Sequence, residues 1–363
     1  MRVMIVNGSP RKGGYTAELV ERFSNGVASA KGTVETVRLC EKKIAPCVGC
    51  FKCWVDHPGK CVFSDDMEGI LETYLRSDVI VLATPTYYFS FSALMKIFFE
   101  RLFPTCKPGL DMGGALGLGR NKARFPDKGP QKAVLIATCA LRNPRTLSAL
   151  LGTFDLVCDA IGAFPVGRLI RPESNLLDFE QAKPRTIRRI RRAFETAGDE
   201  LVRHGAISKA CEQAARLSIT SSDELFSTHF ETYWTIASEM DSAWTDRELL
   251  ADTANKDPRI VMRELASYYN PKADNELDAV IQLNLTDATT YPSWQLVISD
   301  GACRAVEGPH PSADLTMTMS QAVFNDLVLQ RVSAPSAFSR RLISTEGSRE
   351  LLARFSRLFQ RRS

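Results

Sequence analysis

Two kinds of segment alternate along the first half of the chain. Short unbroken apolar runs at Val3 to Val6, in Asp78-VIVLATP and at Lys132 to Thr138 predict strands buried on both faces. Thr33 to Leu39 and Ala163 to Ile170 read as two more strands. Between the strands, apolar residues recur at helical spacing. One helix begins near Tyr15 or Thr16 and shows Ala17, Val20, Phe23 and Val27 on one face. A second carries Met67, Ile70, Leu71 and Tyr74, with Asp65 and Asp66 as N-cap candidates. Two others run from Ala93 to Phe103 and from Thr146 to Ile161. Strands alternating with helices predict an α/β fold, a doubly wound parallel sheet of five strands. The glycine-rich stretch Lys107 to Gly129 has few strand or helix signals and reads as a mobile surface loop or lid.

Farther along, Lys183 to Arg192 is strongly basic. It could bind an acidic surface. The stripe Ile187, Ile190, Phe194, Ala197 and Leu201 favours a plain amphipathic helix whose arginines are solvated. Residues 205–257 read as a helical connector after a first domain at 1–204. The pattern then changes to period two, at Leu277 to Leu285, at Trp294, Leu296 and Ile298, and in Leu315-Thr-Met-Thr-Met. Asp300-Gly301 is a hairpin signal with Cys303 to Val306 as the return strand. Helical patterns follow at Gln321 to Leu329 and Arg349 to Phe359. Residues 258–363 therefore form a separate α+β unit with an antiparallel sheet.

Composition narrows the class. A chain of 363 residues suggests about two domains, and its apolar and charged fractions of 44% and 24% are those of a soluble globular protein. A net charge of +4 is too small to indicate nucleic acid as a partner. There is no transmembrane-length apolar run and no signal peptide pattern, so a cytoplasmic location is expected. Ten cysteines are many for such a protein, and Cys47, Cys50, Cys53 and Cys61 cluster within one loop. In a reducing compartment this points to metal or redox chemistry.

The first strand breaks at Asn7-Gly8-Ser9-Pro10, and Gly13-Gly14 opens the next helix. A strand, a short loop and a helix N-terminus make an anion site, with Ser9 and Thr16 as hydroxyl donors and Arg11 and Lys12 as cations. Neither a Gly-Lys-Ser/Thr ending nor G-x-G-x-x-G is present. The stretch GSPRKGGYT instead resembles the phosphate loop of the flavodoxin-like NAD(P)H-dependent FMN reductases, with Tyr15 where that family usually has a small polar residue. The resemblance implies strand order 2-1-3-4-5, with ligands beyond the carboxyl ends of the strands at the switch point. It implies FMN held by Ser9, Arg11, Lys12, Gly13, Gly14, Tyr15 and Thr16, by Pro85, Thr86, Tyr87, Tyr88 and Phe89, and by Thr138 and Cys139. The helix KIFFERLF, Lys96 to Phe103, is similar to the K-x-F-x-D-R helix of that family, with Glu100 in place of aspartate.

The cysteine loop has the spacing C-x2-C-x2-C-x7-C. Thiolates are soft ligands, and this compact spacing suits one cubane cluster better than the paired knuckles of structural zinc. Free thiols in a plain flavin reductase are the alternative. Together with Asp65-Asp66-Met67 the loop resembles that of the iron–sulfur flavoproteins, which implies a four-iron four-sulfur cluster on Cys47, Cys50, Cys53 and Cys61.

The last hundred residues resemble a sterol carrier protein-type domain at Trp294, Asp300-Gly301, Gly308, Ala313-Asp314-Leu315-Thr316 and Gly347. Glycines common in that family near Gln330 and Arg341 are absent, which implies an altered or closed apolar tunnel. The unit is expected either to bind lipid, with an arginine such as Arg340 or Arg341 pairing an acyl carboxylate, or to serve as a packing module. The whole chain is then expected to be an NAD(P)H-dependent FMN oxidoreductase, dimeric or larger, passing electrons to the cluster or a quinone-like acceptor. The alternatives are a quinone or azo-type reductase without iron and a flavin redox sensor or electron carrier.

Overall fold

The computed structural model describes residues 1–113, 116, 117, 119–179, 183–241, 245–274, 276–329 and 331–360. It divides into two compact units, Met1–Leu177 with Arg185–Ile219, and Asp178–Pro184 with Thr220–Ser363.

The first unit contains β1 (Arg2–Asn7), α1 (Tyr15–Ser29), β2 (Thr33–Arg38), α2 (Met67–Arg76), β3 (Val79–Pro85) and α3 (Ala93–Glu100). It continues through β4 (Cys106–Asp111), β5 (Arg120–Ala123), β6 (Lys132–Thr138), α4 (Ser148–Ile161), β7 (Phe164–Arg171), most of α5 (Pro184–His204) and α6 (Lys209–Ala215). Five strands form one parallel sheet in the order β2-β1-β3-β6-β7. This is the expected order once the hairpin strands β4 and β5 are set aside. All of β3 is buried, as are all but the first residues of β1 and β6, because helices cover both faces. Met4, Val6, Leu82, Leu135, Phe98 and Phe154 meet in the core on one face. Two glycines let α1 and α5 touch backbone to backbone: a Cβ at Gly26 would lie 1.8 Å from the Glu195 carbonyl oxygen, and one at Gly198 would lie 2.1 Å from that of Phe23.

The expected loop at 107–129 is corrected by the structure. β4 and β5 pair antiparallel as a two-stranded sheet, with an irregularity between Lys107 and Leu110. Pro108 and Gly109 sit inside β4, and both weaken a strand signal while suiting a bulged edge. Residues 114, 115 and 118 of that stretch lie outside the described residues.

The second unit holds α7 (Asp223–Glu239), α8 (Arg247–Lys256) and α9 (Pro258–Ser267). A sheet follows, made of β8 (Ala279–Leu285), β9 (Ser293–Ser299), β10 (Ala302–Glu307), β11 (Leu315–Met319) and β12 (Ile343–Gly347), with α10 (Gln321–Val328), α11 (Ala334–Ser339) and α12 (Arg349–Leu358). The order is β10-β9-β8-β11-β12. The sheet is not wholly antiparallel as expected: β11 runs parallel to β8. Because β9 already occupies one edge of β8, the chain crosses from β10 to the other edge, and alternation carries no information on direction. The Asp300-Gly301 hairpin forms as read, with φ of 51° and 68°, the pair of positive values a tight two-residue turn requires. Inside this unit Glu264 is buried between His229 Nε2 at 2.8 Å and Lys183 Nζ at 2.7 Å. Among the described residues no helix is long and apolar enough to cross a membrane.

Candidate functional site

Three loops meet at the carboxyl ends of β1, β3 and β6, and hydrogen bonds tie each to the others. Ser92 Oγ donates to the Gly8 carbonyl at 2.6 Å, the Thr86 N–H donates to the Thr138 carbonyl at 2.7 Å, and the Thr16 and Thr138 hydroxyls lie 2.8 Å apart. Segments about seventy and fifty residues apart in sequence thus form one wall, as the switch-point rule requires.

The first loop is shaped by its own backbone. Ser9 N–H donates to Asn7 Oδ1 at 2.9 Å, and Ser9 Oγ is 3.2 Å from both the N–H and the carbonyl oxygen of Arg11. Gly14 is the N-cap of α1 and supplies no side-chain acceptor, and a helix start without one suits an anion. A Cβ at Gly14 would press on Arg11 at 3.3 Å, whereas Gly13 faces open space. Thr16 is buried and Arg11 exposed. The exposed Lys12 ammonium lies 3.8 Å from Glu41. Tyr15 is half-buried, and its hydroxyl donates to the Asn175 carbonyl at 3.4 Å.

In the second loop, Pro85 and Thr86 follow β3 and are succeeded by a tight turn in which Tyr87 and Ser90 exchange both backbone hydrogen bonds. Its two central residues, Tyr88 and Phe89, have φ of +45° and +65°. Bulky residues rarely hold that conformation, and such strain gathers at ligand sites. The turn presents Tyr87, Tyr88 and Phe89 to solvent, Tyr88 at 98% exposure, and among the described residues the buried Thr86 Oγ1 has no partner. A flat aromatic ligand would cover the rings, and a polar edge would satisfy the hydroxyl.

In the third loop, Thr138 supplies the bonds described above, but Cys139 faces inward. Its thiol is 3.7 Å from Thr146 Oγ1, its N–H donates to the Arg171 carbonyl, its carbonyl accepts from the Ser174 N–H, and it packs with Leu147 and Ile170. Sequence reasoning missed Asn175. It is buried, and among the described residues both its amide atoms lack partners, although its backbone carbonyl meets Tyr15. Nothing in the local pattern marks it, because it lies in the short 3-10 helix Ser174–Asp178 that follows β7.

The cysteine loop is a second centre. Cys47, Cys50, Cys53 and Cys61 all line one small cavity with Phe51, Val62, Phe63, Arg101 and Phe103. Positive φ at Gly49, Phe51 and Gly59 turns the loop, and the Gly49 N–H donates to the Cys47 sulfur at 3.4 Å. Trp54 Nε1 donates to the Phe103 carbonyl at 2.9 Å, and Arg124 donates to Pro104 and Cys53 carbonyls. Asp65 closes the loop base by accepting from the Ala45 and Met67 N–H groups. Asp66, the N-cap by position, instead accepts from the Lys43 N–H. Burial, and then the neighbouring Cys61, Cys47 and Cys50, push the Cys53 thiol above its ordinary value. The four cysteines share this cavity, although among the described residues no three His, Cys, Asp or Glu side chains are gathered at metal-ligand spacing. Burial pulls the Arg101 guanidinium down, but Asp65 and the adjacent Cys61 sulfur hold it above its usual range. In chemistry the donor set fits a thiolate-ligated cluster.

In the second unit a cavity of about 830 Å3 lies between sheet and helices, lined by Leu283, Met317, Phe324, Phe338, Leu352 and Phe355 among others. The tunnel expected to be altered or closed is thus an open cavity; Gln330 lies outside the described residues. No charged side chain is among those lining it, and Arg340 and Arg341 are exposed. The expected pairing of an acyl carboxylate with those arginines is thereby corrected: they follow α11, on the solvent side of the turn into β12.

Residues 1–120 match the family model of NADPH-dependent FMN reductases, and residues 263–360 match that of the SCP-2 sterol transfer family. The N-terminal part is similar to an iron–sulfur flavoprotein of Methanocaldococcus jannaschii, 33% identical over 126 residues, which is 34% of this chain and 64% of that one. It is also similar to one of Archaeoglobus fulgidus, 35% identical over 104 residues, 29% of this chain and 46% of that one. The chain thus spans about half to two thirds of these relatives' lengths. Among solved structures, an NAD(P)H:quinone oxidoreductase from Methanothermobacter marburgensis aligns over 56% of this chain and 97% of its own, with 18% identity and a TM-score of 0.41.

Proposed function

We propose that the chain is an NAD(P)H-dependent FMN oxidoreductase with an iron–sulfur centre. The observation that carries the flavin part is the wall of three mutually bonded loops beside the uncapped start of α1. The first-turn N–H groups of α1, with Ser9, Arg11 and Thr16, would hold the phosphate, and Pro85, Thr86, Tyr87 and Phe89 would hold the ring system. Bound FMN supplies the acceptor for a nicotinamide hydride. The chain's part is to bind, to orient and to exclude water: Thr86 Oγ1 is a buried hydroxyl ready for the polar edge, and the aromatic turn covers the flat face.

Cys47, Cys50, Cys53 and Cys61 would hold a four-iron four-sulfur cluster, which offers one-electron chemistry. Their common cavity and the names of the relatives support this. A second reading is a quinone or azo-type reductase without iron, in which the four cysteines stay free thiols. A flavin-containing sensor or carrier would share the site but not turn over. Exposed Val48, Val55, Leu110 and Met112 support burial against a second copy of the chain. The second unit would bind a neutral lipid, since its cavity is apolar and uncharged. Ten unpaired cysteines fit a cytoplasmic setting.

The flavin reading is tested by combining Ser9→Ala with Arg11→Ala. The double variant should lose FMN on desalting while the wild-type chain retains it. Full flavin content in the double variant would overturn the assignment.

A further inference from the structure

We infer that Arg101 is a positioning residue that sets the reduction potential of a cluster held by the four cysteines. The inference rests on the cluster reading above and adds to it a role for a residue outside the ligand set.

Arg101 is 2% exposed and among the largest fully buried side chains of the protein. It lines the same cavity as Cys47, Cys50, Cys53 and Cys61. Its donors are accounted for on one side only. Nη1 donates to the Ala45 carbonyl at 2.7 Å and to Asp65 Oδ2 at 2.7 Å, and Nη2 donates to Asp65 Oδ1 at 3.0 Å. Nε is buried and has no partner at hydrogen-bond geometry among the described residues. The guanidinium lies over the Phe63 ring, 5.3 Å from its centroid. Asp65 and Ala45 thus take three of the five guanidinium N–H groups, and Nε–H and one Nη2–H are left on a side chain that shares its cavity with the four sulfurs, Cys61 nearest in effect. A purely structural arginine would be satisfied by Asp65 and Ala45, and apolar packing would serve the loop equally well.

The chemical consequence follows from charge. Adding an electron makes a thiolate-ligated cluster more negative, and cluster potentials respond to net charge and to hydrogen bonds on sulfur. A buried cation interacts strongly because little water screens it. Arg101 therefore favours the reduced state, and Asp65, its counter-ion, partly offsets that effect. The two residues pull in opposite directions, which a merely structural pair would not do.

The test is a potentiometric titration, followed by visible absorbance, of the full-length chain reconstituted anaerobically, with iron and sulfide measured on each sample. Arg101→Gln should shift the cluster potential to more negative values by a tenfold change in the oxidised-to-reduced equilibrium, ~59 mV for one electron. Arg101→Lys, which keeps the charge, should shift it by less than half as much. Asp65→Asn should shift it in the positive direction. If Arg101→Gln does not fold or load, the positive shift of Asp65→Asn carries the test. Unchanged potentials in loaded variants, or shifts of one sign in all of them, would overturn the inference. A wild-type chain that takes up no iron and sulfide would instead refute the cluster reading itself.

Discussion

Replacing Tyr88 by asparagine should stabilise the first unit while weakening its hold on flavin. Tyr88 sits at φ +45° in a tight turn closed by Tyr87 and Ser90, and it is 98% exposed. Holding an ordinary L-residue in the left-handed region costs about 1–2 kcal/mol, and asparagine tolerates it far better. Because the tyrosine ring packs on almost nothing, its loss costs little burial. The net gain should be about 1 kcal/mol, or roughly 2–4 °C in the melting temperature of a unit this size. A ring that covers part of a bound flavin adds about 0.5–1.5 kcal/mol, so FMN affinity should fall roughly two- to tenfold. Thermal melts of flavin-free protein and flavin fluorescence titrations measure the two effects separately. A variant that melts no higher would refute the strain, and one that binds FMN as tightly as before would remove Tyr88 from the platform.

Three other outcomes follow from the same structure. Gly26→Ala would force a methyl into the Glu195 carbonyl, 1.8 Å from the new Cβ, and should destabilise the α1–α5 contact by about 1–3 kcal/mol or more, read as a lower denaturant midpoint. Burial opposes ionisation of Glu264, but His229 and Lys183 outweigh it and hold the carboxyl below its ordinary range. A lowered carboxyl contributes stability that is complete above its unfolded value of about 4.3 and is lost as pH falls through the lower folded value. Acid melts of the wild-type chain should therefore show a fall in stability that Glu264→Gln lacks. In displacement assays with an apolar fluorescent probe, the full chain should prefer a neutral long-chain ester or alcohol to the corresponding fatty acid at neutral pH, and Phe324→Trp, which fills the cavity, should lower binding of both.

What could be read from the chain, and what could not, separates along physical lines. The strands β1, β3 and β6 announce themselves because both faces are covered, so their apolar runs have no polar interruptions. The hairpin of β4 and β5 hides behind Pro108 and Gly109, and β12, with the sequence ISTEG, is short and polar on an edge. Strand direction, as at β11, depends on which edge is free and not on alternation. The glycine-rich loop after β1 and the four-cysteine loop were legible as local motifs. Asn175 was not, and Arg101 showed only as the arginine of the K-x-F-x-D-R-like helix, since the burial and unmatched donors of both arise only in the assembled fold. Cys139 was implied as a flavin contact by the family resemblance; in the fold its N–H and carbonyl bond to Arg171 and Ser174, and its side chain packs with Leu147 and Ile170. Arg340 and Arg341 were read as possible ligand anchors from charge alone, and the turn into β12 puts both on the surface.

The most direct test of the central reading is an anaerobic titration of the FMN-loaded full-length chain with NADPH, and separately with NADH, followed by visible absorbance. The account predicts that the flavin band bleaches with at least one of the two nucleotides near stoichiometric addition, and that the colour returns on adding a quinone. A chain that binds no FMN, or whose bound flavin is left unbleached by excess of either nucleotide, would contradict it.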